Sequence, residues 1–206
     1  MTATLTDLTG TWNIDPTHTR LGFVTRHAMV TKVRGSFNDY TGTVTVPAEG
    51  VDGATAEVVI TASSIDTRNA DRDGHLKSND FFDMDNHPEI TFRSTKIAAN
   101  GSGGVDVTGD LTIKGTTKSV TIPFEYEGTA TDPFGNLRAG FEGTTVINRS
   151  DFGLTWNAAL ETGGVLVSEK VTLEIELSAI KQARVPPGPP GPAGTPVRPR
   201  DAPGAG

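Results

Sequence analysis

Hydrophobic and polar residues alternate with a period of two along most of the chain, which is the signature of half-buried β-strands. No long stretch follows the 3.6-residue period of an amphipathic helix. The alternating runs number eight, and they lie at 21–27, 40–46, 58–62, 90–94, 105–113, 120–126, 141–147 and 171–177. Eight antiparallel strands can close on themselves and leave room for one small ligand. The pattern therefore predicts an all-β fold, an eight-stranded antiparallel up-and-down barrel.

Parity within the runs predicts which side chains point into the barrel, because alternate residues of a strand face opposite sides. We expect the inward set to form a ligand-binding surface that is apolar except for one histidine. Its members are Leu21, Phe23, His27, Val44, Ile60, Phe92, Leu111, Ile113, Ile122, Phe124, Phe141, Ile147, Leu173 and Ile175. At His27 two interpretations stay open, a contact with a ligand headgroup or a satisfied core histidine. Pro123 cannot donate to a ladder, so we expect a bulge or an unpaired edge at that point.

Residues 64–88 interrupt the strand pattern between the third and fourth runs. The segment is polar, rich in aspartate and too long for a hairpin loop, so we expect a short helical loop, with Asp66 as its N-cap. Phe81 and Phe82 are expected to anchor it against one mouth of the barrel. Positions 69–80 approach a calcium-loop spacing but lack the first Asp and the final Glu. We therefore expect no metal site, with Asp71, Arg72 and Asp73 acting as caps and ion pairs.

The composition separates two regions. Residues 8–183 form the predicted barrel, and residues 184–206 form a Pro/Gly-rich tail that we expect to be disordered. An alternative for the tail is a Pro-rich recognition segment.

Charge and cysteine content exclude several function classes. The net charge of −7 argues against a nucleic-acid partner. The absence of cysteine excludes disulfides, zinc–thiolate sites and thiol nucleophiles. No apolar stretch is long enough to span a membrane, and no signal peptide is visible, so a cytoplasmic location is expected.

Ordered motifs along nearly the whole barrel resemble those of the YceI-like (polyisoprenoid-binding) family. They are Trp12-x-Ile14-Asp15-Pro16-x-His18, Phe23-x-x-x-His27, Gly35-x-Phe37, Ser64-Ile65-Asp66-Thr67, Arg72-Asp73-x-His75-Leu76, Asp80-Phe81-Phe82-Asp83, Pro88-x-Ile90-x-Phe92-x-Ser94-Thr95, Gly109-x-Leu111-Thr112-Ile113-x-Gly115 and Asn148-Arg149-x-Asp151-Phe152-Gly153. The resemblance implies a lipocalin-like barrel that carries or stores a long-chain isoprenoid or fatty amphiphile. It also implies a possible homodimer, and family members are often periplasmic. This chain departs from the family by the missing signal peptide and by the tail.

Three functions compete at this stage. The first is lipid binding without chemistry or cofactor, driven by removing an apolar chain from water. The second is an enzyme acting on such a lipid, which would need a paired acid and base that the inward set lacks. The third is a partner-binding module with a filled barrel and a Pro-rich recognition tail. For Arg149 we favour a structural ion pair with Asp151 over contact with a headgroup.

Overall fold

The computed structural model describes residues 5–161 and 163–183. Eleven strands form one antiparallel sheet: β1 Gly10–Ile14, β2 Arg20–His27, β3 Thr31–Phe37, β4 Tyr40–Val46, β5 Thr55–Thr61, β6 Ile65–Asp66, β7 Glu89–Ala99, β8 Val105–Ile113, β9 Thr116–Thr131, β10 Leu137–Asn148 and β11 Lys170–Lys181. One α-helix, α1, spans Ala70–Lys77, and short 3-10 turns occupy Leu5–Leu8, Val51–Gly53, Ala62–Ser64 and Arg149–Phe152. The predicted tail, 184–206, lies outside the described residues.

The eleven strands make eight barrel positions. β11 pairs first with β2 and then with β1, so β1 and β2 share one position. Likewise β3 and β4 share the next, and β5 and β6 the third. The pairing of β1 with β11 closes the ring, which leaves few strand edges unpaired. The predicted eight-stranded antiparallel barrel is confirmed, and each of the eight predicted runs falls in a different position.

The ladder between β9 and β10 is incomplete. It extends from the Thr131–Leu137 pair to Phe124 and Gly143 and stops there, so residues 116–123 pair with β8 alone. The ladder ends beside Pro123, which has no N–H to donate. The unpaired edge predicted from this proline is confirmed, and a register shift lies nearby between Gly140 and Phe141.

A polar network fastens the break between β1 and β2. Asp15 is buried, and one of its oxygens lies 2.7 Å from His18 Nδ1 and 2.6 Å from Arg138 Nη1. Arg138 Nε also donates to Asp132 at 2.8 Å, in the turn between β9 and β10. His18 therefore has a structural role in this network.

Candidate functional site

A cavity of about 300 Å³ lies inside the barrel. Its lining includes thirteen of the fourteen residues predicted to face inward, because the period-two alternation of each strand continues through the structure. They are Leu21, Phe23, Val44, Ile60, Phe92, Leu111, Ile113, Ile122, Phe124, Phe141, Ile147, Leu173 and Ile175.

The inward placement of His27 is wrong. Its side chain is exposed, although Leu21, Phe23 and Thr25 on the same face of β2 line the cavity. His27 is the last residue of β2, and its backbone pairs with Val167 in an isolated bridge. Parity gives the direction of a side chain, but the barrel no longer encloses it at the end of the strand.

Two cavity-lining phenylalanines lie over glycines of the neighbouring strand. Phe23 is paired with Gly35, where a Cβ would lie within 2.3 Å of the ring. Phe124 is paired with Gly143, where a Cβ would lie 2.6 Å from the ring. The missing side chains make room for the rings, so these glycines help to set the shape of the cavity. Alternation alone did not reveal this role.

Different groups close the two ends of the barrel. At the end formed by β1 and the turn Leu5–Leu8, Trp12 is buried and its indole Nε1 donates to the carbonyl of Leu8 at 2.7 Å. We call this the N-terminal end. At the opposite end, the helix end, Leu76, Phe81 and Phe82 reach the cavity from the segment 67–88, here named the cover. Phe81 and Phe82 thus have the anchoring role predicted for them.

Hydrogen bonds within the cover hold it in place. Asn69, rather than the predicted Asp66, caps α1 by accepting from the N–H of Arg72 at 2.9 Å. Asp66 instead accepts from the N–H of Arg68. The carboxylate of Asp73 accepts hydrogen bonds from both the N–H and the hydroxyl of the buried Thr67. Arg72 donates to the carbonyl of Thr67 at 2.7 Å. The cap was misassigned because the helix begins four residues after Asp66.

Aromatic contacts join the cover to the loop after β10. The ring of His75 packs edge-on against Trp156 at 4.6 Å and against Phe81 at 5.1 Å, and its Nε2 lies 2.9 Å from Asp80 Oδ2.

In the described part of the chain, no three histidine or carboxylate side chains converge as a metal-binding group.

Arg149 is the charged residue of the cavity lining, and only 5% of it is exposed. Its guanidinium donates to the carbonyls of Leu154, Trp156 and Ser168, at 2.5, 2.8 and 3.0 Å, and more weakly to Val167. The predicted ion pair with Asp151 is wrong, since Asp151 is exposed and the guanidinium turns to backbone oxygens instead. Burial lowers the pKa of Arg149, and the nearby Glu169 opposes that shift. Arg149 therefore fastens both ends of loop 153–169.

Among residues 5–161 and 163–183, no helix has the length and apolar character needed to cross a bilayer.

Comparisons with known proteins agree with this architecture. A UPF0312 protein of Vibrio parahaemolyticus is 34% identical over 165 residues, covering 80% of this chain and 83% of the relative. A UPF0312 protein of Staphylococcus aureus is 39% identical over 164 residues, covering 79% and 93%.

Solved structures share the barrel. BcnA of Burkholderia cenocepacia matches with a TM-score of 0.69 at 26% identity, over 80% of this chain and 98% of that one. The YCEI protein of Campylobacter jejuni matches with a TM-score of 0.65 at 29% identity, over 77% and 90%. A polyisoprenoid binding domain from Saccharophagus degradans, implicated in plant cell wall breakdown, has the same fold with a TM-score of 0.62 at 17% identity, over 83% and 98%.

The family model described as the YceI-like domain matches residues 12–179, which is nearly the whole barrel. Together with relatives above 30% identity, this match shows that the chain belongs to the YceI-like domain family.

Proposed function

We propose that the barrel binds the hydrocarbon chain of an isoprenoid or similar long amphiphile without converting it, for transport, storage or protection. The observation that carries the proposal is the cavity of about 300 Å³, whose lining is apolar apart from Thr25 and Arg149. Each CH₂ moved from water into such a space gains about 0.8 kcal/mol. A chain therefore binds well with few polar contacts, and the shape of the cavity sets selectivity.

The cavity volume sets the length of chain that it encloses. A protein cavity of about 150 Å³ holds one benzene molecule. The present cavity is about twice that size and accommodates on the order of a dozen carbons. In this proposal a longer isoprenoid places one end of its chain in the barrel, and the remainder passes the cover at the helix end.

The chemistry of the lining supports binding over catalysis. An enzyme site needs an acid and a base with suitably shifted pKa values facing the substrate. Here the charged group of the lining, Arg149, already donates to backbone carbonyls. His27, the histidine of the predicted inward set, is exposed and does not line the cavity.

The runner-up function, a partner-binding module, requires a barrel filled by its own side chains. The cavity argues against that requirement. The tail on which the partner contact would depend lies outside the described residues.

A series of prenols of increasing length tests the proposal by calorimetric titration. We expect affinity to rise about fourfold per added methylene, the equivalent of 0.8 kcal/mol. The gain should level off once the chain exceeds roughly a dozen carbons, the capacity estimated above. The name of the Saccharophagus degradans domain supports the choice of prenols as probes.

Matched variants locate the binding to the cavity. Leu111→Asn and Phe124→Asn each place an amide on the lining, and both variants should fold, because water can enter the cavity beside it. Their affinity for prenols should fall at least tenfold, the effect of about two methylenes. Thr112→Asn, on the opposite face of β8, is the control and should bind like the wild type. Equal prenol affinity in all three variants, or no binding by the wild type, would contradict the proposal.

A further inference from the structure

The tip of the hairpin between β2 and β3 exposes large apolar side chains. Met29 is 55% exposed and Val30 is 78% exposed. Loop 153–169 lies beside the tip, since the N–H of Ala28 donates to the carbonyl of Leu166 at 2.7 Å, and its Val165 is 40% exposed. Three exposed apolar residues therefore lie at one corner of the helix end.

The turn itself is unusual for its residues. Ala28 and Met29 adopt φ values of 49° and 61°, and the N–H of Val30 donates to the carbonyl of His27 at 3.1 Å. Such a turn favours Asn and Gly, which enter left-handed backbone most readily. This turn instead exposes a methionine and a valine to solvent.

The hairpin is also basic within an acidic protein. Residues 20–38 contain Arg20, Arg26, Lys32 and Arg34 and no carboxylate, whereas the whole chain carries −7. Arg20 and Arg34 approach Glu174 at 3.6 and 3.8 Å. Among the ion pairs of the described residues, none includes Arg26 or Lys32.

The tip is close to the cavity. Leu21, Phe23 and Thr25 of β2 line it, and Met29 follows Thr25 by four residues, which span at most about 13 Å. Val167, which pairs with His27 at the base of the tip, lines the cavity as well.

We propose that this hairpin docks on an anionic lipid membrane. Met29 and Val30 enter the headgroup region while Arg26 and Lys32 contact lipid phosphates, a combination typical of interfacial binding. The negative charge on the rest of the molecule is repelled by the same membrane, so the hairpin is directed toward the bilayer. Docking of the hairpin does not depend on the function proposed for the cavity. A role of docking in loading or unloading lipid does rest on that proposed function.

Charge also decides between a membrane and a second copy of the chain. An interface that joined two such tips symmetrically would bring Arg26 and Lys32 of both copies together, and like charges placed together oppose association. Loop 153–169 carries two carboxylates, Glu161 and Glu169. Glu169 accepts from the N–H of Ser150 and interacts with Arg149, so Arg26 and Lys32 outnumber Glu161 and leave the corner basic.

Flotation with phosphatidylcholine vesicles, with and without phosphatidylglycerol, tests the proposal on the full chain. We expect binding to vesicles that contain phosphatidylglycerol and its loss at high salt. The double variant Arg26→Gln, Lys32→Gln should bind about 30-fold more weakly, about fivefold for each cation. Met29→Ser, Val30→Ser should abolish flotation. Phe134→Ser is the control, because Phe134 is 89% exposed in the turn between β9 and β10 at the N-terminal end.

The outcomes are distinct. Absence of flotation in the wild type, or equal flotation by Met29→Ser, Val30→Ser, overturns docking. Docking is also overturned if the wild type does not bind vesicles but forms a dimer that Met29→Ser, Val30→Ser converts to monomers. That result would assign the hairpin tip to contact with a second copy of the chain. Prenol affinity measured without vesicles reports on the cavity alone. If docking fails but Met29→Ser, Val30→Ser binds prenols like the wild type, the proposed function of the cavity still stands.

Discussion

Asp15 shows how one buried carboxylate joins distant parts of the chain. Burial by itself raises its pKa, but hydrogen bonds from Arg138, Thr17 and His18 outweigh that effect and hold the pKa well below its usual value of 3.8. Hydrogen bonds from Asn136 and Arg138 likewise lower the pKa of Asp132. The network ties the break between β1 and β2 to the turn that precedes β10.

These depressed pKa values predict the acid sensitivity of the fold. A carboxylate with a lowered pKa in the folded state stabilises the protein above its unfolded pKa, and the stabilisation is lost as pH falls through the folded value. The free energy of unfolding should therefore decline below about pH 4. Asp15→Asn should lose about 2 kcal/mol at neutral pH and show a shallower decline in acid. Urea unfolding across the pH range measures both effects.

Glu57→Gln is the control for this prediction, because Glu57 is exposed on β5 and its contact with Arg93 is 3.7 Å long. Exposed pairs of this kind contribute little. If Asp15→Asn and Glu57→Gln had the same pH dependence of unfolding, the stabilising role of the network would be wrong.

Residue-level prediction from the sequence succeeded where one physical rule decided the outcome. Leu111 and Ile113 were placed correctly because side chains alternate along a continuous strand. His27 was misplaced because the same rule says nothing about where the wall of the barrel ends. The partners of Arg149 were missed because backbone carbonyls leave no mark on the sequence.

At the scale of elements, the count of eight barrel positions was right although the described residues make eleven strands. Each alternating run marks one barrel position, but β1, β3 and β6 carry no long alternation of their own. Breaks such as the turn after Ile14 divide one position into two strands without changing the closed ring. Pro123 was informative because its missing N–H acts on the ladder directly.

Arg149 fastens both ends of loop 153–169, and this role yields a prediction. Arg149→Lys keeps the charge but cannot reach the carbonyls of Leu154, Trp156 and Ser168 together. Leaving buried carbonyls without donors should cost about 3 kcal/mol of unfolding free energy. Hydrogen exchange should accelerate at the N–H groups of Leu166 and Ser168, which now bond to Ala158 and Arg26.

Arg93→Lys provides the matched comparison, since Arg93 is exposed and its one ion pair within the described residues is with Glu57, at 3.7 Å. It should change the unfolding free energy by less than about 0.5 kcal/mol. Unchanged exchange at Leu166 and Ser168 in Arg149→Lys would show that other contacts hold the loop.

At the scale of the whole molecule, the barrel is closed by the two ends of the described chain. β1 meets β11 in only three register pairs, Trp12 with Lys181, Asn13 with Ile180 and Ile14 with Ala179. The same stretch of β11 also pairs with Arg138 and Ala139 of β10. Since β1 is joined on its other side to β4, the last residues of β11 close the ring between β10 and β1.

Two truncations test this dependence on closure. Removing 184–206 should leave the melting temperature unchanged, because this stretch is rich in Pro and Gly and poor in residues that could pack. Removing 179–206 deletes the pairs with β1 and the buried Ala179, and it reopens the sheet. Backbone hydrogen bonds to β1 and to Arg138 and Ala139 of β10 are lost together, which should cost at least about 3 kcal/mol, or roughly 10 °C for a domain of this size. Thermal unfolding followed by circular dichroism compares the two proteins. A similar fall in both would assign a stabilising role to the tail, and no fall in either would mean that the sheet closes without the pairing of β1 and β11.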